Sequence, residues 1–108
     1  MSKQRHASAM ASRVVIDYNI LGWGDAHQDD LLKQFKEVIQ VGKHPDLPRR
    51  SFDKEVAVFC ESHDCALITA DSRAYTHFFE AGIKSVTIRL LERWKVSDAD
   101  LYVVEIAS

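Results

Sequence analysis

The sequence contains few residues that cross-link or stiffen a chain, with two cysteines, two prolines and four glycines among 108 residues. The two cysteines, Cys60 and Cys65, flank His63. These three donors fall short of the four that a structural zinc site uses. We therefore predict that both thiols are reduced and metal-free, with Cys60 on the apolar face of a helix and Cys65 at the start of a buried strand.

Long hydrophobic runs and an excess of positive charge are also missing. No apolar run approaches the ~20 residues that cross a membrane, and the basic first residues have no apolar stretch of the signal-peptide kind. The formal net charge of −2 argues against a large basic nucleic-acid surface. It does not exclude a nucleic-acid enzyme that neutralises phosphate with bound metal. We expect a cytoplasmic protein, without a membrane partner, that has a flexible tail at residues 1–12 and a single domain at residues 13–108.

The sequence does contain an alternation of strand and helix patterns. Short apolar runs rich in β-branched residues predict strands at 13–17, 65–70, 84–90 and 101–106. Apolar residues at three- and four-residue steps predict helices that begin near Asp25, Ser51 and Asp71. The first of these helices is predicted to end at Gly42. A helical turn is predicted at residues 91–95. This order predicts an α/β protein with three α/β/α layers and a mainly parallel central sheet, whose last strand could lie antiparallel at an edge.

Three acids far apart in the sequence are predicted to meet where the parallel strands end. Asp17 follows the first strand, Asp71 follows the second, and the connection between them places the helix that carries Asp53 at the same end of the sheet. Clustered carboxylates repel each other, so they share protons or hold a cation. Oxygen ligands suit Mg²⁺ or Mn²⁺, which can activate water and stabilise a phosphodiester transition state.

Each acid also has a simpler role when it is considered alone. Asp71 can cap a helix, Asp53 is a favourable charge in a first helical turn, and Asp17 can brace a loop. Only the convergence of all three favours a functional site over these structural roles.

Three short segments carry a resemblance to a known family. "VVIDYNI" contains Asp17 and Asn19, "SFDKE" contains Asp53, and "LITADSRAY" contains Thr69 and Asp71. In this order, and followed by "AGIKSVTIRL", they resemble the PIN domain over about residues 13–106.

The resemblance implies a metal-dependent endoribonuclease that cleaves single-stranded RNA and is often the toxin of a toxin–antitoxin pair. It implies that Asp17, Asp53 and Asp71 hold Mg²⁺ or Mn²⁺. Asn19 and Thr69 would orient these ligands, and Arg73 would contact phosphate.

The sequence also departs from the family pattern, because Arg73 stands where PIN nucleases commonly place a further acid. Glu55 is a candidate substitute ligand. The alternative is a non-catalytic PIN-like module that binds a protein or RNA partner. A receiver-type signalling domain fits less well, since Tyr18 rather than a second acid follows Asp17. The sequence leaves open an antitoxin partner and a homodimer.

Overall fold

The structure is a computed structural model that describes residues 12–49, 51, 53–96 and 98–107, without the side chains of residues 92–96. The predicted tail lies outside these residues except for Ser12. In chain order the elements are β1 (Arg13–Ile16), a 3-10 helix (Tyr18–Ile20), α1 (Leu21–Ala26), α2 (Gln28–Leu32), β2 (Glu37–Gln40), α3 (Asp53–His63), β3 (Cys65–Thr69), α4 (Tyr75–Glu80), β4 (Val86–Val96) and β5 (Ala99–Ile106). No helix in the described ranges is long and apolar enough to cross a membrane.

The five strands form one sheet in the order β2-β1-β3-β5-β4. The strand β1 pairs in parallel with β2 and β3, whereas β5 is antiparallel to both of its neighbours, β3 and β4. The protein is therefore a mixed α/β protein, and the expected mainly parallel sheet is corrected to a mixed one. The last strand is antiparallel, as considered from the sequence, but it lies inside the sheet. Its direction follows from the short connection to β4, which can form a hairpin but not a crossover.

Side chains of the central strands alternate between two buried clusters, one on each face of the sheet. Val15 and Leu67 pack with Phe59 of α3 and Phe78 of α4. Val14, Ile16 and Ile68 pack on the opposite face with Trp23 of α1 and Leu31 of α2. This alternation explains why β1 and β3 read as continuous apolar runs in the sequence, since strands that are covered on both faces have no polar side.

The predicted first helix, from Asp25 to Gly42, is wrong in its second half. Helical structure ends with α2, and the next apolar residues form β2, in which Val38 pairs with Val14 and Ile39 pairs with Val15. The expected helix cap at Asp25 is also wrong, because Asp25 lies inside α1. Its carboxylate accepts a hydrogen bond of 2.8 Å from the buried Gln40 amide, which lowers the pKa of Asp25.

The helical turn predicted at residues 91–95 is wrong as well. The strand β4 continues to Val96, with a change of register between Leu91 and Lys95. Pairing with β5 decides the conformation here, because the hairpin supplies hydrogen-bond partners that the local sequence pattern does not reveal. The other predicted strands and helices are present, with ends that differ by a few residues.

Candidate functional site

The three predicted acids lie at the carboxyl end of the parallel strands. Asp17 directly follows β1, Asp71 follows β3 after one residue, and Asp53 opens α3. The Asp17 amide donates a hydrogen bond of 3.0 Å to the Ile68 carbonyl, which aligns the ends of β1 and β3. The sheet thus brings together two acids that are separated by more than fifty positions in the sequence.

Thr69 connects two of these acids. Its side chain is fully buried, and its hydroxyl donates a hydrogen bond of 2.7 Å to Asp17 Oδ2. The same oxygen accepts a bond of 3.1 Å from the Asp71 amide. Asp17 Oδ1 accepts a further bond of 2.8 Å from the Tyr18 amide. The position of Asp17 is therefore set by a buried side chain on one oxygen and by the backbone on the other.

His77, in α4, connects Asp71 with Asp53. Its Nε2 atom lies 3.3 Å from Asp53 Oδ2 and 3.5 Å from Asp71 Oδ2, and its Nδ1 atom lies 3.5 Å from Glu80 Oε1. These contacts are ion pairs only when the ring is protonated. Sequence reasoning missed this histidine, and the only available signal was its position in a helix that begins near the strand-end acids. We call Asp17, Asp53, Asp71 and His77 the acidic cluster.

The other predicted site residues take less central positions. Asn19 is exposed in the 3-10 helix, and no hydrogen bond joins its side chain to the three carboxylates. Glu55 is exposed in the first turn of α3. Arg73 is exposed, and its amide donates a hydrogen bond of 2.9 Å to Asp71 Oδ1. Asp71 therefore braces the turn that leads into α4, and the expected helix cap at Asp71 is wrong, because the N-cap residue of α4 is Ala74 and no side chain caps it.

The donor atoms of the acidic cluster suit a divalent cation in their chemistry but do not enclose one as the side chains stand. Carboxylate oxygens are the ligands that Mg²⁺ and Mn²⁺ prefer. Among the described residues, however, no group of three or more His, Cys, Asp or Glu side chains is placed to hold a metal ion. The Asp53 and Asp71 side chains are 64% and 49% exposed, so packing leaves each of them room to change its rotamer.

The two cysteines belong to the core and not to this site. Both are free thiols, with Cys60 on the buried face of α3 and Cys65 at the start of β3, as predicted. Burial raises the pKa of Cys65 to about 11 and raises that of Cys60 well above its usual value. Neither thiol is ionised near neutral pH, so neither is an activated nucleophile.

The fold and the site define a mixed α/β protein with an acidic cluster at the carboxyl end of its parallel strands. Comparison of the chain with models of known families, with curated proteins and with solved structures finds no match. A functional proposal therefore depends on the chemistry of the cluster and on the expectation, drawn from three short segments of the sequence, of a PIN-like domain.

Proposed function

We propose that the acidic cluster is the active site of a PIN-like, metal-dependent endoribonuclease that hydrolyses single-stranded RNA. In this proposal Asp17, Asp53 and Asp71 hold Mg²⁺ or Mn²⁺. One observation carries the proposal: three acids from separate segments are joined through Thr69 and His77 at one end of the sheet. Carboxylates gathered in this way repel one another, and a bound cation relieves that repulsion.

The residues of the chain have separate tasks in this proposal. Thr69 holds Asp17 in place and fixes the backbone at Asp71, so that ligands from two strands keep a constant spacing. His77 stands between Asp53 and Asp71 and separates their charges in the metal-free protein. Arg73 and Asn19, both exposed beside the cluster, are available to the RNA. A divalent cation at the cluster would activate water and stabilise the charge that develops on the phosphate.

The biological setting belongs to the same proposal. The two core clusters on opposite faces of the sheet support a three-layer PIN-like arrangement. In this proposal the protein acts in the cytoplasm as the toxin of a toxin–antitoxin pair. Its partner would be an antitoxin protein, and it could act as a homodimer.

Metal-dependent cleavage of single-stranded RNA tests this function. We expect slow cleavage with Mn²⁺ that EDTA abolishes, and a loss of at least about 100-fold in Asp17→Asn, which removes a ligand charge without changing the shape of the side chain. Calorimetric titration with Mn²⁺ should show weaker binding to the same variant. Asp29→Asn is the matched control, since Asp29 is an exposed acid of α2 and the charge change is identical. Equal trace activity in the wild type and in Asp17→Asn would identify the cleavage as contamination.

The second candidate is a non-catalytic PIN-like module that binds a protein or RNA partner. Two observations favour it. Within the described residues, no three His, Cys, Asp or Glu side chains are grouped closely enough to hold a metal ion. In addition, Arg73 stands where PIN nucleases commonly have an acid. The two candidates differ in the titration. A catalytic site binds Mn²⁺ through Asp17, whereas the binding module shows no Mn²⁺ affinity that depends on Asp17.

A further inference from the structure

A cleft opens beside the acidic cluster, on the side of β1 that faces β2. It has a volume of about 260 Å³ and is lined by Tyr18, Leu21, Val41, Gly42, Lys43 and Arg49. Leu21 and Val41 supply an apolar surface, and Lys43 and Arg49 supply positive charge. The cleft presents an aromatic ring, an apolar surface and positive charge, whereas the neighbouring acidic cluster presents carboxylates. The two sites therefore suit different parts of a ligand.

The cleft and the acidic cluster are built on the same strand ends. Tyr18 follows Asp17, and the Tyr18 amide donates a hydrogen bond of 2.8 Å to Asp17 Oδ1. On the other wall, the Val41 amide donates a bond of 3.3 Å to the Ile16 carbonyl, the last of β1. Tyr18 therefore lines the cleft and follows Asp17 directly in the chain.

Tyr18 and Arg49 form the rim of the cleft. Tyr18 is 39% exposed, which is high for a large aromatic residue, and Arg49 Nε donates a hydrogen bond of 2.8 Å to its hydroxyl. The guanidinium carbon lies 5.9 Å from the centre of the ring. No ion pair joins Arg49 to a carboxylate within the described ranges, so its charge is available to a ligand, whereas Lys43 already lies 3.6 Å from Asp25.

The loop after β2 holds Arg49 in this position. Gly42 adopts a φ of 94°, and its amide donates a hydrogen bond of 2.7 Å to the Leu47 carbonyl across the loop. Leu47 is fully buried and anchors the loop in the core. A Cβ atom on residue 42 would lie 3.5 Å from Arg49 Cα, so the backbone of Arg49 rests directly against the glycine.

From this geometry we infer that the Tyr18–Arg49 cleft binds the nucleotide that adjoins the scissile phosphate of a single-stranded RNA. The base stacks on the Tyr18 ring, and the phosphate pairs with the Arg49 guanidinium. The inference rests on the proposed nuclease function, since it adds the substrate contacts of that site. A nucleotide offers an aromatic base and an anion at adjacent positions, which matches the two groups at the rim. With a net charge of −2 for the whole chain, binding must depend on a few local contacts of this kind.

RNA binding without cleavage tests the inference. Fluorescence anisotropy of a short fluorescein-labelled single-stranded RNA in buffer with EDTA reports affinity when no divalent cation is present. Tyr18→Ala should bind about tenfold more weakly, because it loses one base–aromatic stack, and Tyr18→Phe should bind like the wild type. Arg49→Ala should weaken binding and reduce the slope of log affinity against log salt by about 0.7, the value for one phosphate contact on a single strand. Arg13→Ala is the matched control, because it removes the same charge at the amino end of β1.

Several outcomes would overturn the inference. These are a wild type that does not bind RNA, a Tyr18→Ala variant with unchanged affinity, or an Arg13→Ala variant that loses as much affinity as Arg49→Ala. Circular dichroism of each variant separates a loss of contact from a loss of fold.

The two proposals, the nuclease and the cleft, can also fail separately. If Tyr18 and Arg49 carry RNA binding but Mn²⁺ produces no cleavage, the nuclease fails and the cleft stands only as a site that binds a nucleotide of single-stranded RNA. If RNA is cleaved but Tyr18→Ala leaves affinity and KM unchanged, the cleft fails and the nuclease stands.

Discussion

At the scale of single residues, Thr69 links the acidic cluster to the core of the sheet. It is a fully buried polar side chain, and its hydroxyl both donates to Asp17 and accepts from the Asp71 amide. A hydroxyl that is buried without partners destabilises a fold, whereas here both its donor and its acceptor capacities are used. Thr69 can therefore be buried next to a charged cluster without a net penalty.

Replacing the Thr69 hydroxyl with a methyl group should destabilise the protein. Thr69→Val keeps the shape but leaves the Asp71 amide without its acceptor, and we expect the free energy of unfolding to fall by about 1–3 kcal/mol. Thr69→Ser keeps both hydrogen bonds and should lose only the contribution of one buried methyl group, about 1 kcal/mol. Urea denaturation measures both values. A Thr69→Val protein as stable as the wild type would show that these bonds do not contribute to folding.

At the scale of secondary-structure elements, β2 shows how a sheet can override a local pattern. Leu31, Phe35 and Ile39 are spaced at four residues, which is a helical pattern, yet the chain leaves the helix after α2. The edge of β1 has unpaired backbone groups, and Glu37–Gln40 pairs with them in parallel register. The Lys36 amide extends this pairing with a bond of 2.7 Å to the Ser12 carbonyl. Because buried backbone groups need partners, the pairing with β1 decides the conformation.

Two glycine substitutions should affect the stability of these elements in opposite directions. Gly42 follows β2 with a φ of 94°, so Gly42→Ala forces a side chain into the left-handed region and should cost about 1–2 kcal/mol. Gly22→Ala is the matched control, because Gly22 lies in α1 with open space where a Cβ would stand, and alanine there should add roughly 0.5 kcal/mol. Thermal denaturation of both variants gives the sign of each change. A neutral or stabilising Gly42→Ala would contradict the left-handed turn.

At the scale of the whole molecule, the two core clusters exclude water from both faces of the sheet and bury both cysteines. Cys60 is fully buried and Cys65 is 2% exposed. Because burial disfavours the thiolate, the pKa of Cys65 is about 11 in the folded protein and near 9.0 in the unfolded chain. A raised folded pKa means that the contribution of Cys65 to stability is complete below the unfolded value and is lost as the pH rises toward the folded value.

The cysteines should therefore report on global unfolding. In the native protein near pH 8 we expect a disulfide reagent such as DTNB to label neither thiol rapidly, and to label both after unfolding in urea. The free energy of unfolding should decline from about pH 9 to about pH 11, with a smaller decline in Cys65→Ala. Rapid labelling of the native protein, or the same pH dependence in wild type and variant, would be inconsistent with buried thiols.

The sequence by itself determined the elements in which local pattern and tertiary environment agree. The continuous apolar runs of β1 and β3 and the apolar face of α3 were predicted, because each is buried whatever its neighbours are. The position of Asp17 and Asp71 at the carboxyl end of β1 and β3 followed from the alternation of strands and helices, since two parallel strands must end on the same side. The metal, the RNA substrate and the antitoxin remain predictions.

Only the tertiary structure decided which backbone edges pair and which side chains meet. It turned the second half of the expected first helix into β2, and it inserted β5 between β3 and β4. It also placed His77 between Asp53 and Asp71, and Arg49 against Tyr18, pairs that no sequence spacing indicates. The physical reason is that propensity and periodicity describe a segment alone, whereas hydrogen-bond pairing and side-chain contacts depend on segments that are distant in the sequence.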